Sequence, residues 1–142
     1  MIYWDTSALV SLYVPDANSP AAARWFQHHA GAILLTPLHE LELANAVRLR
    51  LFRREIKPAA AKAARAAHED DRGAHLFVPA ALPDSVFAAA TRLALARSAR
   101  LGTRSLDLLH VAAALALQAE AFLTFDRRQA LLARAEGLKL AQ

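Results

Sequence analysis

Short apolar runs alternate with helical patterns along the whole chain, and this alternation limits the fold more than any other feature. Strands are predicted at 2–4, 32–35, 75–78 and 121–125, and the run 137–140 is a candidate fifth, edge strand. These strands are continuously apolar, which is typical of parallel strands covered on both faces. We therefore predict an α/β fold with three layers, α/β/α, around a central parallel sheet of four to five strands.

Helices are predicted between these strands from apolar spacing and from cap residues. Four of them are predicted to cover 21–30, 37–54, 84–100 and 127–135. Another runs from after Pro58 as far as Gly73, and two more begin at Thr6 and at Ser105. The third helix has the clearest start, because Thr36 is a good cap and Pro37 suits a first turn.

Length and composition favour one compact unit. The chain has 142 residues, of which 56% are hydrophobic and 21% are charged. A chain of this size buries about two thirds of its unfolded surface. We predict a single domain covering 1–142.

Composition also excludes several classes of protein. The chain has no cysteine, so disulfides, thiol catalysis and thiolate zinc sites are excluded, which agrees with a cytoplasmic protein. No segment is long and apolar enough to span a membrane, and no signal peptide is visible. The net charge of +4 favours a polyanion or an acidic protein as partner. Neither a GxGxxG nor a GxxxxGK phosphate loop occurs.

Acidic residues follow strands or occupy helix starts at separated places along the chain. They are Asp5, Glu42, Asp107 and Asp126. Each alone has a simple explanation as a cap, a turn residue or an exposed side chain. The carboxyl ends of parallel strands lie at one rim, however, and carboxylates gathered there need a compensating cation. Oxygen ligands suit Mg²⁺ better than zinc.

At these positions the sequence resembles the PIN-domain family, over nearly the whole chain. The matching motifs, in order, are Asp5-Thr6-Ser7, then Thr36-Pro37-Leu38 with Glu42 and Asn45-Ala46, then Ser105-Leu106-Asp107 with Leu109-His110 and Ala112-Ala113, then Leu123 to Gln129, and Gly137-Leu138. Each motif alone is weak. Their order and spacing in so short a chain make the resemblance specific, and it points to the VapC type of toxin.

The resemblance implies a Mg²⁺- or Mn²⁺-dependent endoribonuclease, the toxin of a type II VapBC toxin-antitoxin pair. Asp5, Glu42, Asp107 and Asp126 would hold the metal, with Thr6, Ser7 and Thr124 as supporting hydroxyls. RNA would be hydrolysed by a metal-activated water, leaving a 5'-phosphate and a 3'-hydroxyl. The implied partners are RNA, a VapB-type antitoxin and a second copy of the chain.

Three further residues are considered for roles beside these acids and hydroxyls. Glu40 lies on the same helix as Glu42 and would face another side, and the resemblance favours Glu42 because Asn45 and Ala46 follow it. Arg104 is the preferred RNA contact. His110 is interpreted as a packing residue.

Two other functions compete with the nuclease. A phosphotransfer domain of the haloacid-dehalogenase kind would use Asp5 as a nucleophile, but it needs an aspartate where this chain has Ser7. A non-catalytic RNA-binding or scaffold domain would use its acids only as caps. The nuclease hypothesis predicts Mn²⁺ binding that disappears on Asp5→Asn, whereas the scaffold hypothesis predicts no such binding.

Overall fold

The computed structural model describes residues 1–141 and divides the chain into two compact units. The first unit comprises 1–5 and 81–141, and the second comprises 6–80. The single domain predicted from length stays a prediction.

The element order is the alternating one that the sequence predicts. The strands are β1 (Ile2–Trp4), β2 (Ile33–Leu35), β3 (Phe77–Pro79) and β4 (Ala121–Leu123). The helices are α1 (Thr6–Tyr13), α2 (Ser19–His29), α3 (Pro37–Phe52), α4 (Pro58–Gly73), α5 (Val86–Leu93), α6 (Ala99–Leu101), α7 (Ser105–Ala116) and α8 (Arg127–Ala135). The strands form a four-stranded sheet whose edge strands are β3 and β4. The predicted α/β class is confirmed.

In the first unit, β1 and β4 pair in parallel, with Ile2 opposite Ala121 and Trp4 opposite Leu123. Every residue of β1 is buried. The rings of Tyr3 and Phe122 stack with centroids 5.7 Å apart. This apolar packing fixes the pairing register, because a slip of one residue would turn each side chain to the opposite face.

In the second unit, β2 and β3 pair in parallel, with Ile33 opposite Phe77. Pro79 ends β3 and is tolerated because an edge strand can lack a backbone donor. Helices α1, α3 and α4 enclose an apolar cluster that includes Val10, Leu43 and Ala61. This cluster is the core of the second unit.

Several predicted strand limits differ from the structure, since β2 starts at Ile33 and not at residue 32, and β4 ends at Leu123 and not at residue 125. The third strand was predicted from His75, but His75 has a φ of +57° and the strand starts at Phe77, because that left-handed residue interrupts an extended backbone. The predicted fifth strand at 137–140 is reduced to one bridge between Leu140 and Phe122.

The helix predicted over 84–100 is interrupted. Residues Ala94–Ser98 form a π-helical turn between α5 and α6, and Gly102, with a φ of +64°, ends the segment. Within this turn Arg97 donates to the Glu136 carboxylate at 2.7 Å. Apolar periodicity carries no signal for a single π turn, so this turn could not be predicted from the sequence.

Among residues 1–141, no helix combines the length and the apolar character that crossing a bilayer requires.

The short loop after α1 depends on the partly buried carboxylate of Asp16. One of its oxygens accepts from the Ser11 hydroxyl at 2.9 Å and from Arg50 Nη2 at 3.2 Å, and the other accepts from the Asn18 backbone N–H at 2.8 Å. Burial disfavours the charged form of Asp16. The hydrogen bonds from Ser11 and Asn18 and the charge of Arg50 outweigh burial, so the pKa of Asp16 lies below its ordinary value.

We expect Asp16→Asn to lower the free energy of unfolding by about 1 kcal/mol near neutral pH. A carboxyl whose pKa is lower in the folded state adds stability above its unfolded pKa of about 3.9. That stability is lost as the pH falls through the lower, folded pKa. Urea unfolding of both proteins across this pH range is the measurement. A difference that stays constant down to about pH 2 would contradict the assignment.

Candidate active site

The pairing of β1 with β4 brings Asp5 and Thr124 to the same end of the two strands. Each directly follows the last paired residues, Trp4 and Leu123, and the backbone N–H of Asp5 donates to the Leu123 carbonyl at 2.9 Å. The Thr124 hydroxyl donates to Asp5 Oδ2 at 2.8 Å. Asp5 is only 4% exposed, so this contact holds a buried carboxylate in a fixed orientation.

Thr124 joins Asp5 to the start of α8. Its oxygen accepts from the Asp126 backbone N–H at 3.0 Å, and it lies 2.9 Å from the side-chain amide of the buried Gln129. A hydroxyl has one proton to donate in a hydrogen bond. Here Thr124 donates it to the carboxylate of Asp5, because a charged acceptor is the stronger one. Gln129 Oε1, 2.9 Å from the Thr124 oxygen, is the weaker acceptor for the same proton.

Asp126 is the N-cap of α8. Its Oδ1 accepts from the backbone N–H groups of Arg128 at 2.7 Å and of Gln129 at 3.0 Å. Because Oδ1 is used in this cap, the other oxygen, Oδ2, is the one turned toward Arg104 Nη2, 3.8 Å away. Asp126 thus combines a structural role with a carboxylate oxygen directed toward a cation.

Asp107 lies in the first turn of α7, where a negative charge is favoured by the helix dipole. Its side chain is 10% exposed, and its Oδ2 accepts from the backbone N–H of Arg104 at 3.0 Å. The guanidinium of Arg104 also donates to both oxygens, from Nε at 3.1 Å and from Nη2 at 3.2 Å. This two-point contact is the geometry in which arginine holds a carboxylate most strongly.

Arg104 therefore lies between Asp107 and Asp126 as a bridging cation. Within residues 1–141, no three His, Asp or Glu side chains are arranged to hold a metal ion as they stand. The donor chemistry nevertheless fits Mg²⁺ or Mn²⁺, since the acids offer hard oxygen atoms. Two of them already share one positive group.

In the second unit, the two glutamates of α3 have different partners. The Thr6 hydroxyl donates to Glu42 Oε2 at 2.7 Å. Glu40 instead contacts His68 Nε2 at 3.2 Å, and an ion pair joins its Oε1 to Arg72 Nε at 3.2 Å without hydrogen-bond geometry. Glu40, and not Glu42, also lines a groove of about 470 Å³ between α3 and α4.

The remaining residues singled out from the sequence have mixed outcomes. His110 is buried, with Nδ1 3.0 Å from the Tyr3 hydroxyl, which agrees with its interpretation as a packing residue. Ser7 is exposed, its backbone carbonyl accepts from Ser11, and its supporting role stays a prediction. Gln129 belongs to one of the matching motifs, but the sequence assigned it no role in the site. Its signal was a polar side chain three residues after a cap, on a face of α8 that also buries Leu132 and Ala133.

We expect Thr124→Val to lower the free energy of unfolding by about 1–3 kcal/mol, because the buried Asp5 carboxylate loses the hydrogen bond from this hydroxyl. Thr124→Ser keeps the hydroxyl and should recover most of that loss. Thr91→Val is the matched control, since Thr91 is exposed and bonds only to the Phe87 carbonyl of its own helix. Equal losses for Thr124→Val and Thr91→Val in urea unfolding would show that the network does not orient Asp5.

Comparison with solved structures shows a shared fold. Mycobacterium tuberculosis VapC20, described as a sarcin-ricin loop cleaving toxin, is 19% identical with a TM-score of 0.70, covering 97% of this chain and 96% of that chain. FitAcB from Neisseria gonorrhoeae is 16% identical with a TM-score of 0.67, covering 100% and 97%. Rickettsia felis VapBC2, bound to a promoter DNA fragment, is 17% identical with a TM-score of 0.63, covering 99% and 98%.

These likenesses confirm the predicted three-layer α/β/α arrangement around a parallel sheet. No curated protein matches the chain. The sequence model of the PIN domain matches residues 2–135, which is nearly the whole chain and includes residues of both units. The chain therefore belongs to the PIN domain family.

Proposed function

We propose that this PIN-domain protein is a metal-dependent endoribonuclease, the toxin of a VapBC-type toxin-antitoxin pair. The observation that carries the proposal is the linked set of Asp5, Asp107 and Asp126, connected through Thr124 and Arg104 at the carboxyl end of the β1–β4 pair. Similar folds occur in a toxin described as cleaving the sarcin-ricin loop and in VapBC2. The family model across both units supports one nuclease domain.

Asp5, Asp107 and Asp126 are the proposed metal ligands within the first unit. Glu42 is the fourth, on the strength of the sequence resemblance and of its contact with Thr6, the residue that follows Asp5 in the chain. When bound, Mg²⁺ or Mn²⁺ neutralises charge on the phosphodiester and acidifies a coordinated water. The acids of this chain hold the cation and do not act as nucleophiles.

The protein's own side chains orient the reaction. Thr124 fixes the Asp5 carboxylate, and the α8 cap uses Asp126 Oδ1 and leaves Oδ2 turned toward Arg104. The water oxygen forms a bond to phosphorus, the bond from phosphorus to the 3'-oxygen breaks, and a proton ends on that oxygen. The products are a 5'-phosphate and a 3'-hydroxyl. Thr6 and Ser7 are the further proposed supporting hydroxyls.

The proposed partners follow from charge and surface. The net charge of +4 and the exposed guanidinium of Arg104 suit an RNA backbone. Phe87 in α5 is 64% exposed and Leu95 in the π turn after it is 85% exposed, which supports contact with a second copy of the chain. A VapB-type antitoxin is the proposed inhibitor, and the cytoplasm, where RNA and antitoxin meet, is the proposed location.

We expect Asp5→Asn, Asp126→Asn and Glu42→Gln each to lower the RNA cleavage rate by at least about 100-fold, since each removes a proposed ligand of the cation. Glu40→Gln is the matched control on the same helix, and it should cleave at close to the wild-type rate because Glu40 contacts His68 and Arg72. Cleavage of total RNA in Mn²⁺, with circular dichroism to check folding, is the measurement.

Wild-type cleavage by folded Asp5→Asn would contradict the assignment of the site. Loss of activity in Glu40→Gln with retention in Glu42→Gln would reverse the choice between the two glutamates. Absence of Mn²⁺ binding by the wild-type protein in calorimetry would favour a non-catalytic scaffold, in which Asp107 and Asp126 serve only as caps.

We expect expression of the chain to arrest bacterial growth and co-expression of the gene product encoded beside it to restore growth. The arrest should disappear with Asp126→Asn, because the toxin acts through cleavage. Colony counts with the two genes under separate inducers are the measurement. Arrest that persists in the folded Asp126→Asn variant would separate toxicity from nuclease activity.

A further inference from the structure

The contacts of Arg104 go beyond those of an RNA-binding arginine on a solvated surface. Its side chain is 73% exposed, yet Nε and Nη2 donate to both oxygens of Asp107, whose side chain is 10% exposed. Nη2 also lies 3.8 Å from Asp126 Oδ2. One exposed guanidinium therefore forms ion pairs with two of the proposed metal ligands, Asp107 and Asp126.

We propose that Arg104 is an internal counter-ion that holds Asp107 and Asp126 in the metal-free protein and that is displaced when the divalent cation binds. The inference rests on the proposed function, because it takes the acids to be metal ligands. Arg104 is thus a positioning residue that competes with the metal for the same carboxylates. No chemical step involves its side chain.

The competition follows from charge and from the number of oxygen atoms in use. Oδ1 of Asp107 is engaged by Nη2, and Oδ2 by both Nε and the Arg104 backbone N–H. A divalent cation bound to either oxygen would lie beside a guanidinium of like charge, which opposes binding of both. The side chain of Arg104 is already in solvent along most of its length, so it can leave without opening the core.

Displacement also explains how Arg104 can contact RNA, as its position suggests. While Arg104 is held by Asp107, its guanidinium is neutralised and attracts phosphate weakly. Once the metal takes the carboxylates, the same guanidinium is released at the edge of the site. Metal binding and RNA binding then favour each other, and by linkage each raises the affinity of the other by the same factor.

The first test is calorimetry of Mn²⁺ binding without RNA. Arg104→Gln should bind Mn²⁺ about tenfold more tightly than the wild type, within the usual range of coupling between two sites. Arg127→Gln is the matched control, because it removes one positive charge next to Asp126 from an exposed side chain that forms no ion pair with an acid of residues 1–141. Arg104→Lys keeps the charge, loses the two-point contact, and should fall between wild type and Arg104→Gln.

The second test uses RNA binding. In EDTA, single-stranded RNA should bind the wild type and Arg104→Gln about equally. In Ca²⁺, with intact RNA verified on gels of the same samples, the wild type should bind severalfold more tightly than Arg104→Gln. Arg127→Gln should show the same ratio to the wild type in both conditions.

The outcomes separate this inference from the proposed function. Equal or weaker Mn²⁺ binding by Arg104→Gln would overturn the inference and leave the nuclease proposal standing, since Arg104 would then support the bound metal. An equal gain in Arg127→Gln would also overturn it by showing a general effect of charge. Absence of Mn²⁺ binding by wild type and by all three variants would instead overturn the proposed function.

Discussion

The parallel pairing of β1 with β4 is the constraint on which the candidate site depends. This pairing ends at Trp4 and Leu123, so the next residue of each strand, Asp5 and Thr124, comes to one end of the pair. The hydrogen bond between these two side chains then fixes a carboxylate that is almost wholly buried. The core side chains of the strands determine the position of Asp5, because their packing sets the register.

The other acids of the first unit are positioned by contacts within the segments next to them. The Thr124 oxygen accepts a hydrogen bond from the backbone N–H of Asp126, and Asp126 in turn caps α8. The short segment between β4 and α8 is therefore fixed at both ends. Asp107 is fixed independently at the start of α7, by its bond to the Arg104 backbone. The guanidinium of Arg104 connects the two places. Neighbouring carboxylates repel one another unless a cation lies between them. In this chain the guanidinium of Arg104 is that cation.

Much of this arrangement was predictable from the sequence, for identifiable reasons. The alternation of apolar runs and helical patterns gave the α/β class, and turn and cap residues gave the limits of α4 and α8 correctly. The identity of the acids came from short motifs at helix and strand ends. The choice of Glu42 over Glu40 is supported by the Thr6 contact and awaits its test.

Two kinds of feature could not be predicted. The π turn at 94–98 and the left-handed conformation of His75 are local, but they leave no periodic signal. Arg104 was expected to contact RNA, and although its pairing with Asp107 is local in sequence, its approach to Asp126 requires knowing how α7 and α8 pack. The most direct measurement is anomalous diffraction from a Mn²⁺-soaked crystal. We expect a peak about 2–2.3 Å from carboxylate oxygens of Asp5 and of Asp107 or Asp126, with Arg104 displaced. A fully soaked crystal with no peak at these residues would contradict a metal-dependent site.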